Sequence, residues 1–157
     1  MRILLTLLIT LLAAPLHAQP QPAPDFALKS VGGENLRLSE FRGDVVVIAF
    51  WASWCSECRE LLEILERLGV NLAGTDARII GISVDHSDKR AERAATGVVT
   101  SYPILLDVKQ DVVKRFEIEK IPAVVIVDRG GAIAATFKGS AVVGTDYDAA
   151  VRAILEE

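Results

Sequence analysis

Two cysteines, two histidines and one methionine in 157 residues leave this chain almost nothing with which to hold a metal ion. A structural zinc site needs four ligands. Beyond the first eighteen residues the chain offers Cys55, Cys58 and His86, and His86 sits in a polar loop where a solvated role suits it. The lack of a Met-rich or His-rich stretch argues against a carrier of soft Cu(I). A basic excess is missing as well: 17 Lys and Arg face 21 Asp and Glu, for a formal charge of −4, which disfavours a nucleic-acid partner. No apolar run reaches the roughly 20 residues that span a bilayer. There is no internal repeat, and no break in composition that would mark a second domain. An apolar content of 51% is enough for one ordinary core without crosslinks.

The longest apolar stretch lies at the start, in "MRILLTLLITLLAAPLHA". One positive charge at Arg2, a mostly apolar run from Ile3 to Ala14 and a small residue at Ala18 are laid out as a secretory signal peptide. We expect residues 1–18 to be that leader, cut after Ala18. Leu16 is bulky for its place before the cut, so retention as an N-terminal membrane anchor is the alternative. No cysteine follows the run, which argues against a lipoprotein. Residues 19–24, "QPQPAP", are expected to form a Pro-rich tether without a core, and residues 25–157 the folded domain. An exported chain meets an oxidising compartment, where small proteins often carry several disulfides; this one has a single cysteine pair.

The domain reads as alternating strands and helices. "FALKSVGGENLRLSEF" has short segments around a Gly32-Gly33 turn and predicts a β-hairpin. "DVVVIAF" is a continuous β-branched run of the kind a strand buried on both faces requires. From Cys55 to Leu72 the spacing of Leu61, Leu65, Leu68 and Leu72 predicts a helix, with Arg59, Glu63 and Arg67 on another face. "ARIIGISV" predicts a second buried strand, followed by a helix over "DHSDKRAERAATGV". A short strand around "YPILLD", a helix over 109–116, a strand at "AVVIVD", its antiparallel neighbour in "GGAIAATFKG" and a closing helix in "DYDAAVRAILEE" complete the pattern. Such alternation implies an α/β fold with a central mixed sheet flanked by helices on both faces.

The cysteines stand in "FWASWCSECRE". As a structural staple, a disulfide closing so small a loop recovers only about 2 kcal/mol. The redox reading accounts for the placement as well as the spacing. A buried strand runs into a turn, and Cys55 falls where a helix begins, so free backbone N–H groups and the helix dipole stabilise its thiolate. Cys58, one turn in, lies beneath it. Cys55 then attacks a substrate disulfide and Cys58 releases the product, leaving a Cys55–Cys58 bond; the reverse sequence would oxidise a substrate. Trp51 reads as core packing and Trp54, beside the nucleophile, as contact surface.

"FWASWCSEC" after a β-branched strand resembles the thioredoxin-superfamily active site, in which Trp-Cys-x-x-Cys opens a helix. "APDFAL", "LRLSEFRGDVVVIAFWASWC", "IIGISVD", "YPILLD" and "IEKIPAVVIVDRGGAI" narrow the likeness to the TlpA/ResA-like thiol–disulfide oxidoreductases, relatives of the AhpC/TSA redoxins. The resemblance covers residues 24–157. It implies a thioredoxin-like fold with an N-terminal β-hairpin and a central insertion, and a redox-active Cys55–Cys58 disulfide with no other cofactor. It also implies a cis-proline at Pro122, with the backbone of Ile121 pairing with a substrate chain. It points to a monomer in a bacterial periplasm that reduces protein clients, such as apocytochrome c cysteines or copper-site thiols, on electrons from a membrane thiol-reductant transporter.

The chain departs from that pattern in its acids. Ala49 stands six residues before Cys55, where many thioredoxins carry a buried acid. Leu61 and Glu63 replace a glutamate and a proline common in the TlpA/ResA-like group. Glu60 and Glu63 are the nearby candidates for a proton relay, with solvated helix charges as the ordinary alternative. Between the cysteines, Ser56-Glu57 replaces a pair that usually ends in proline. A carboxylate at Glu57 disfavours the Cys55 thiolate and so favours the disulfide, which makes the dithiol a stronger reductant. Two competing functions stay open: a peroxiredoxin-like peroxidase, against which Ala52 and Ile48 stand in place of the expected hydroxyl and proline, and a non-enzymatic thiol metal chaperone.

Overall fold

The computed structural model describes residues 20–97 and 100–157. The expected leader at 1–18 lies outside them. The elements run β1 (Ala27–Lys29), β2 (Asn35–Arg37), β3 (Val45–Trp51), α1 (Ser56–Asn71), β4 (Ala77–Ser83), α2 (Asp88–Thr96), β5 (Ile104–Leu106), α3 (Asp111–Arg115), β6 (Ala123–Val127), β7 (Ile133–Lys138) and α4 (Tyr147–Leu155), with 3-10 turns at Leu38–Phe41 and Gly139–Ala141. Five strands form a mixed sheet in the order β5-β4-β3-β6-β7, and β1 and β2 form a separate antiparallel hairpin. β3 is parallel to β4 and antiparallel to β6. This is the α/β architecture with a central mixed sheet expected from the alternation, and the thioredoxin-like fold that the resemblance implies, with α2, β5 and α3 lying between β4 and β6.

The β3 run is apolar throughout because both its faces are covered: every residue from Val45 to Trp51 is buried. Its side chains alternate between two cores. Val45, Val47, Ala49 and Trp51 join Leu61, Leu62, Leu65 and Leu68 of α1 and Tyr147 and Val151 of α4. Val46, Ile48, Phe50 and Ala52 join Val112, Val113 and Phe116 near α3 and Phe26 and Leu38 of the N-terminal segment. Helices therefore lie on both faces, although the second face carries only the five residues of α3 and owes the rest of its cover to the N-terminal segment. Trp51 packs over Gly81, where a Cβ would lie 3.5 Å from the indole Nε1 and 2.5 Å from Cδ1 of Ile104.

Packing begins ahead of Asp25, inside the stretch expected to be a coreless tether. Pro22 bridges Ala132, Ile133 N–H donates to the Gln21 carbonyl at 2.8 Å, and Ala23 is buried in the second core. Further on, Ser30 bridges Leu105 and Val31 N–H donates to Ile104 at 2.8 Å. The segment thus crosses one sheet face from the β7 edge to the β5 edge and occupies backbone groups that open edges would present. Helix α3 starts later than the expected 109–116, because Gln110 adopts a left-handed conformation (φ 57°) ahead of it.

Two buried phenols tie helices to this frame. Tyr102 Oη donates to the Leu62 carbonyl at 3.0 Å, and Tyr147 Oη donates to Val142 at 2.7 Å. Burial pushes the Tyr147 phenol up to about 12; burial first, and then the Glu66 carboxylate, raises Tyr102 as well. An unfolded tyrosine ionises near 10. Because both native values are raised, this stabilisation is fully present below about pH 10 and is lost as pH climbs through the native values. Urea unfolding followed from pH 9 to 12 is expected to show stability falling from about pH 10 upward. Tyr147→Phe is expected to flatten that fall while costing about 1 kcal/mol at neutral pH.

Candidate active site

Strand β3 delivers the chain to a tight turn in which Cys55 N–H donates to the Ala52 carbonyl at 3.2 Å. Cys55 is then the N-cap of α1, with extended backbone (φ −90°, ψ 110°) and a half-buried side chain. Cys58 lies one turn in at 1% exposure, within the core beneath α1. The two are joined by a disulfide, with S–S 2.08 Å, χ3 85° and Cα atoms 5.4 Å apart. Trp54 stands out beside them at 65% exposure, whereas Trp51 is buried in the core as its position on β3 predicts.

The Ile121–Pro122 peptide bond is cis, and Pro122 N–H is absent from a position directly before β6, where a proline is tolerated. A groove of about 530 Å³ runs between this loop and the cysteine turn. Trp54, Val84, Val113, Ile118 and Ile121 give it apolar walls, and Glu57 and Glu119 bring carboxylates to its rim. A smaller cavity of about 170 Å³ opens on the other side of Cys55, lined by Ser56 and Arg59 among others. Trp54, Glu57 and Ile121 are thus brought to one groove and Ser56 to the adjoining cavity. Glu60 and Glu63 are exposed on α1 and line neither. Leu61 and Ala49, where relatives of the resembled families carry acids, are both fully buried among apolar side chains.

Sequence reasoning missed two buried aspartates at this end of the sheet. Asp85, just past β4, accepts from Ser53 N–H at 2.9 Å, Ser53 Oγ at 2.7 Å and Ser83 Oγ at 2.9 Å. Asp107, just past β5, accepts the N–H groups of Asp111, Val112 and Val113 at 3.1, 3.2 and 2.8 Å, so it holds the start of α3. Gln110 Nε2 then donates to the Val84 carbonyl at 2.9 Å and fastens the groove's wall to β4. The available signal was an aspartate directly ending each apolar strand, in "IIGISVD" and "YPILLD". Among the described residues no cluster of His, Cys, Asp and Glu could hold a metal ion, and no helix is long and apolar enough to cross a membrane.

A half-exposed and a buried cysteine, bonded across the first turn of a helix in this fold, define a thioredoxin-like thiol–disulfide oxidoreductase. Residues 20–136 match the AhpC/TSA family, and the chain belongs to it. The thioredoxin-like protein YneN of Bacillus subtilis is 32% identical over 116 residues, spanning 72% of this chain and 67% of that protein. The thiol-disulfide oxidoreductase ResA of Geobacillus kaustophilus is 25% identical over 118 residues, 75% of this chain and 68% of its own. Among solved structures, a thiol-disulfide oxidoreductase from Bacteroides fragilis superposes with a TM-score of 0.70 at 28% identity, covering 79% of this chain and 96% of that one. A proposed thiol:disulfide interchange protein DsbE from Chlorobium tepidum reaches a TM-score of 0.82 over 88% of this chain and 98% of its own; at 23% identity it speaks for the fold alone.

The anchoring of α3 is testable. Asp107→Ala leaves the amides of Val112 and Val113, both buried residues, without acceptors. Urea unfolding is expected to show a loss of at least about 2 kcal/mol, with Asp107→Asn losing less because one acceptor oxygen remains.

Proposed function

We propose that this protein is exported and reduces disulfides in protein clients through Cys55 and Cys58. The unequal exposure of the two residues is the observation that carries the reading: only Cys55 is within reach of a bulky client. The Cys55 thiolate attacks a client disulfide, and one client sulfur leaves and takes a proton from water. The other client sulfur stays bonded to Cys55. Cys58 then loses its proton to water and attacks Cys55 Sγ, expelling the second client thiol. Two electrons pass to the client, and the Cys55–Cys58 bond remains to be reduced by a membrane thiol-reductant transporter.

The exposed face of Trp54 and the main chain of Ile121, held by Pro122, receive the client segment along the groove. Apocytochrome c haem-attachment cysteines and copper-site thiols are the client classes that suit a periplasmic reductant. Glu57, at the groove's rim, weights the couple towards reduction of clients. The protein acts as a monomer, with residues 1–18 removed as a signal peptide and the thioredoxin-like domain following the short Pro-rich stretch.

Trapping tests the roles. With a disulfide-bearing peptide, Cys58→Ser is expected to accumulate a mixed disulfide at Cys55, and Cys55→Ser to form none; equal adducts from both variants overturn the assignment. For the direction, thiol counting in dithiol buffers is expected to give a reversible two-electron midpoint well below about −200 mV, whereas a value near about −120 mV would mark an oxidant. Export is read from the mass of the secreted protein, expected to begin at Gln19.

A further inference from the structure

Asp85 is only 2% exposed, and it carries a negative charge into the protein without a cation to meet it. Its partners are the N–H and Oγ of Ser53 and the Oγ of Ser83, all neutral. The ion pairs among the described residues fall on Asp25, Asp44, Asp76 and Asp148 instead. Burying a carboxylate without a counter-charge is unfavourable, and only its hydrogen bonds offset that cost. Two of those bonds reach Ser53, two residues ahead of Cys55, across the parallel ladder in which Trp51 faces Ser83. Because Cys55 N–H turns back onto Ala52, covalent geometry keeps the carboxylate within roughly 10 Å of the Cys55 Cα.

We propose that Asp85 is a positioning residue for the redox couple: it pins the Ser53–Trp54–Cys55 turn, and its buried charge opposes the Cys55 thiolate, biasing the pair towards the disulfide. This rests on Cys55 as the attacking thiol. Other charges act more weakly at that sulfur. Glu57, Arg59 and Glu60 on α1, Glu119 and Lys120 across the groove, and His86 and Asp88 beside α2 are exposed and screened by water and salt. Asp107 is also buried, but it follows β5, which lies one strand further from β3 than β4 does.

Asp85→Asn separates charge from geometry. An amide oxygen in the Oδ2 position keeps the bonds from Ser53 N–H and Ser83 Oγ, and an amide NH₂ in the Oδ1 position donates to a rotated Ser53 hydroxyl. In a Cys58→Ser background, where Cys55 is the sole thiol, the ratio of thiolate to thiol at fixed pH is read from ultraviolet absorbance. Asp85→Asn is expected to raise it about tenfold, the effect of one unit charge at about 10 Å in a protein-like dielectric. With both cysteines present, the midpoint is expected to become less negative, by up to about 30 mV for that tenfold change. An unchanged or lower ratio in a folded Asp85→Asn protein overturns the proposal, as a merely structural residue would loosen the turn without enriching the thiolate. If Asp85→Asn does not fold, Asp85→Ser removes the same charge and is expected to raise the ratio; no change or a fall then overturns it. Failure of the underlying reading looks different, since the parent Cys58→Ser protein would itself form no adduct with the disulfide peptide.

Discussion

The parallel pairing of β3 with β4 is the constraint on which the site depends. Its register sets Trp51 opposite Ser83, and Val84 N–H donates to the Trp51 carbonyl at 2.9 Å. β3 is buried through all seven of its residues and β4 through six of its seven, Arg78 alone being exposed, so neither can slip by one position without turning an entire set of apolar side chains to the wrong layer. The turn that carries Cys55 follows β3 at once, and the aspartate that binds this turn follows β4 at once. Side-chain burial along both strands thus fixes how Cys55 is presented.

Three charges or dipoles meet at Cys55, and they do not agree in sign. The first turn of α1 favours a thiolate at its N-cap, while Glu57 in the same turn and Asp85 beneath the loop oppose one. Exposure decides their weights. Glu57 is exposed and is screened by solvent; Asp85 is sealed among neutral donors, where a field decays less with distance. In such an arrangement the helix terminus favours the thiolate and the buried carboxylate limits how far it does so.

Much of this fold was legible in the chain, because long runs with one period leave few choices. The β-branched density of "DVVVIAF" reads as a strand buried on both faces, and the leucines from Leu61 to Leu72 recur at the spacing of one side of a helix. The cysteine positions followed from the strand-to-helix switch between them. What was not legible depended on contacts between segments far apart in sequence. The Pro-rich stretch looked like a coreless tether, yet Ala23 is buried because Pro22 happens to meet Ala132, 110 positions on. Asp85 and Asp107 read as ordinary strand-ending polar residues; their meaning comes from Ser53 and from the amides of α3, which no local pattern announces. Ala49 on β3 and Leu61 on α1 stand where a buried acid would be looked for, whereas the buried acid at this end of the sheet, Asp85, follows the neighbouring strand β4.

The direction of β6 completes the site. In a sheet of parallel strands, the groups available for binding gather at the carboxyl ends, where Trp54 follows β3, Val84 follows β4 and Gln110 follows β5. β6 runs the other way against β3, with Ala123 opposite Phe50 near that same end. Its antiparallel course brings its beginning, Ile121 and Pro122, to the place where the other strands finish. A parallel β6 would leave that loop at the far side of the sheet, and the groove would lose the wall that faces the cysteines. Pairing this strand antiparallel next to β3 therefore does for the far wall of the groove what pairing β4 parallel does for the cysteine turn: each fixes one side of a site whose residues share no local sequence.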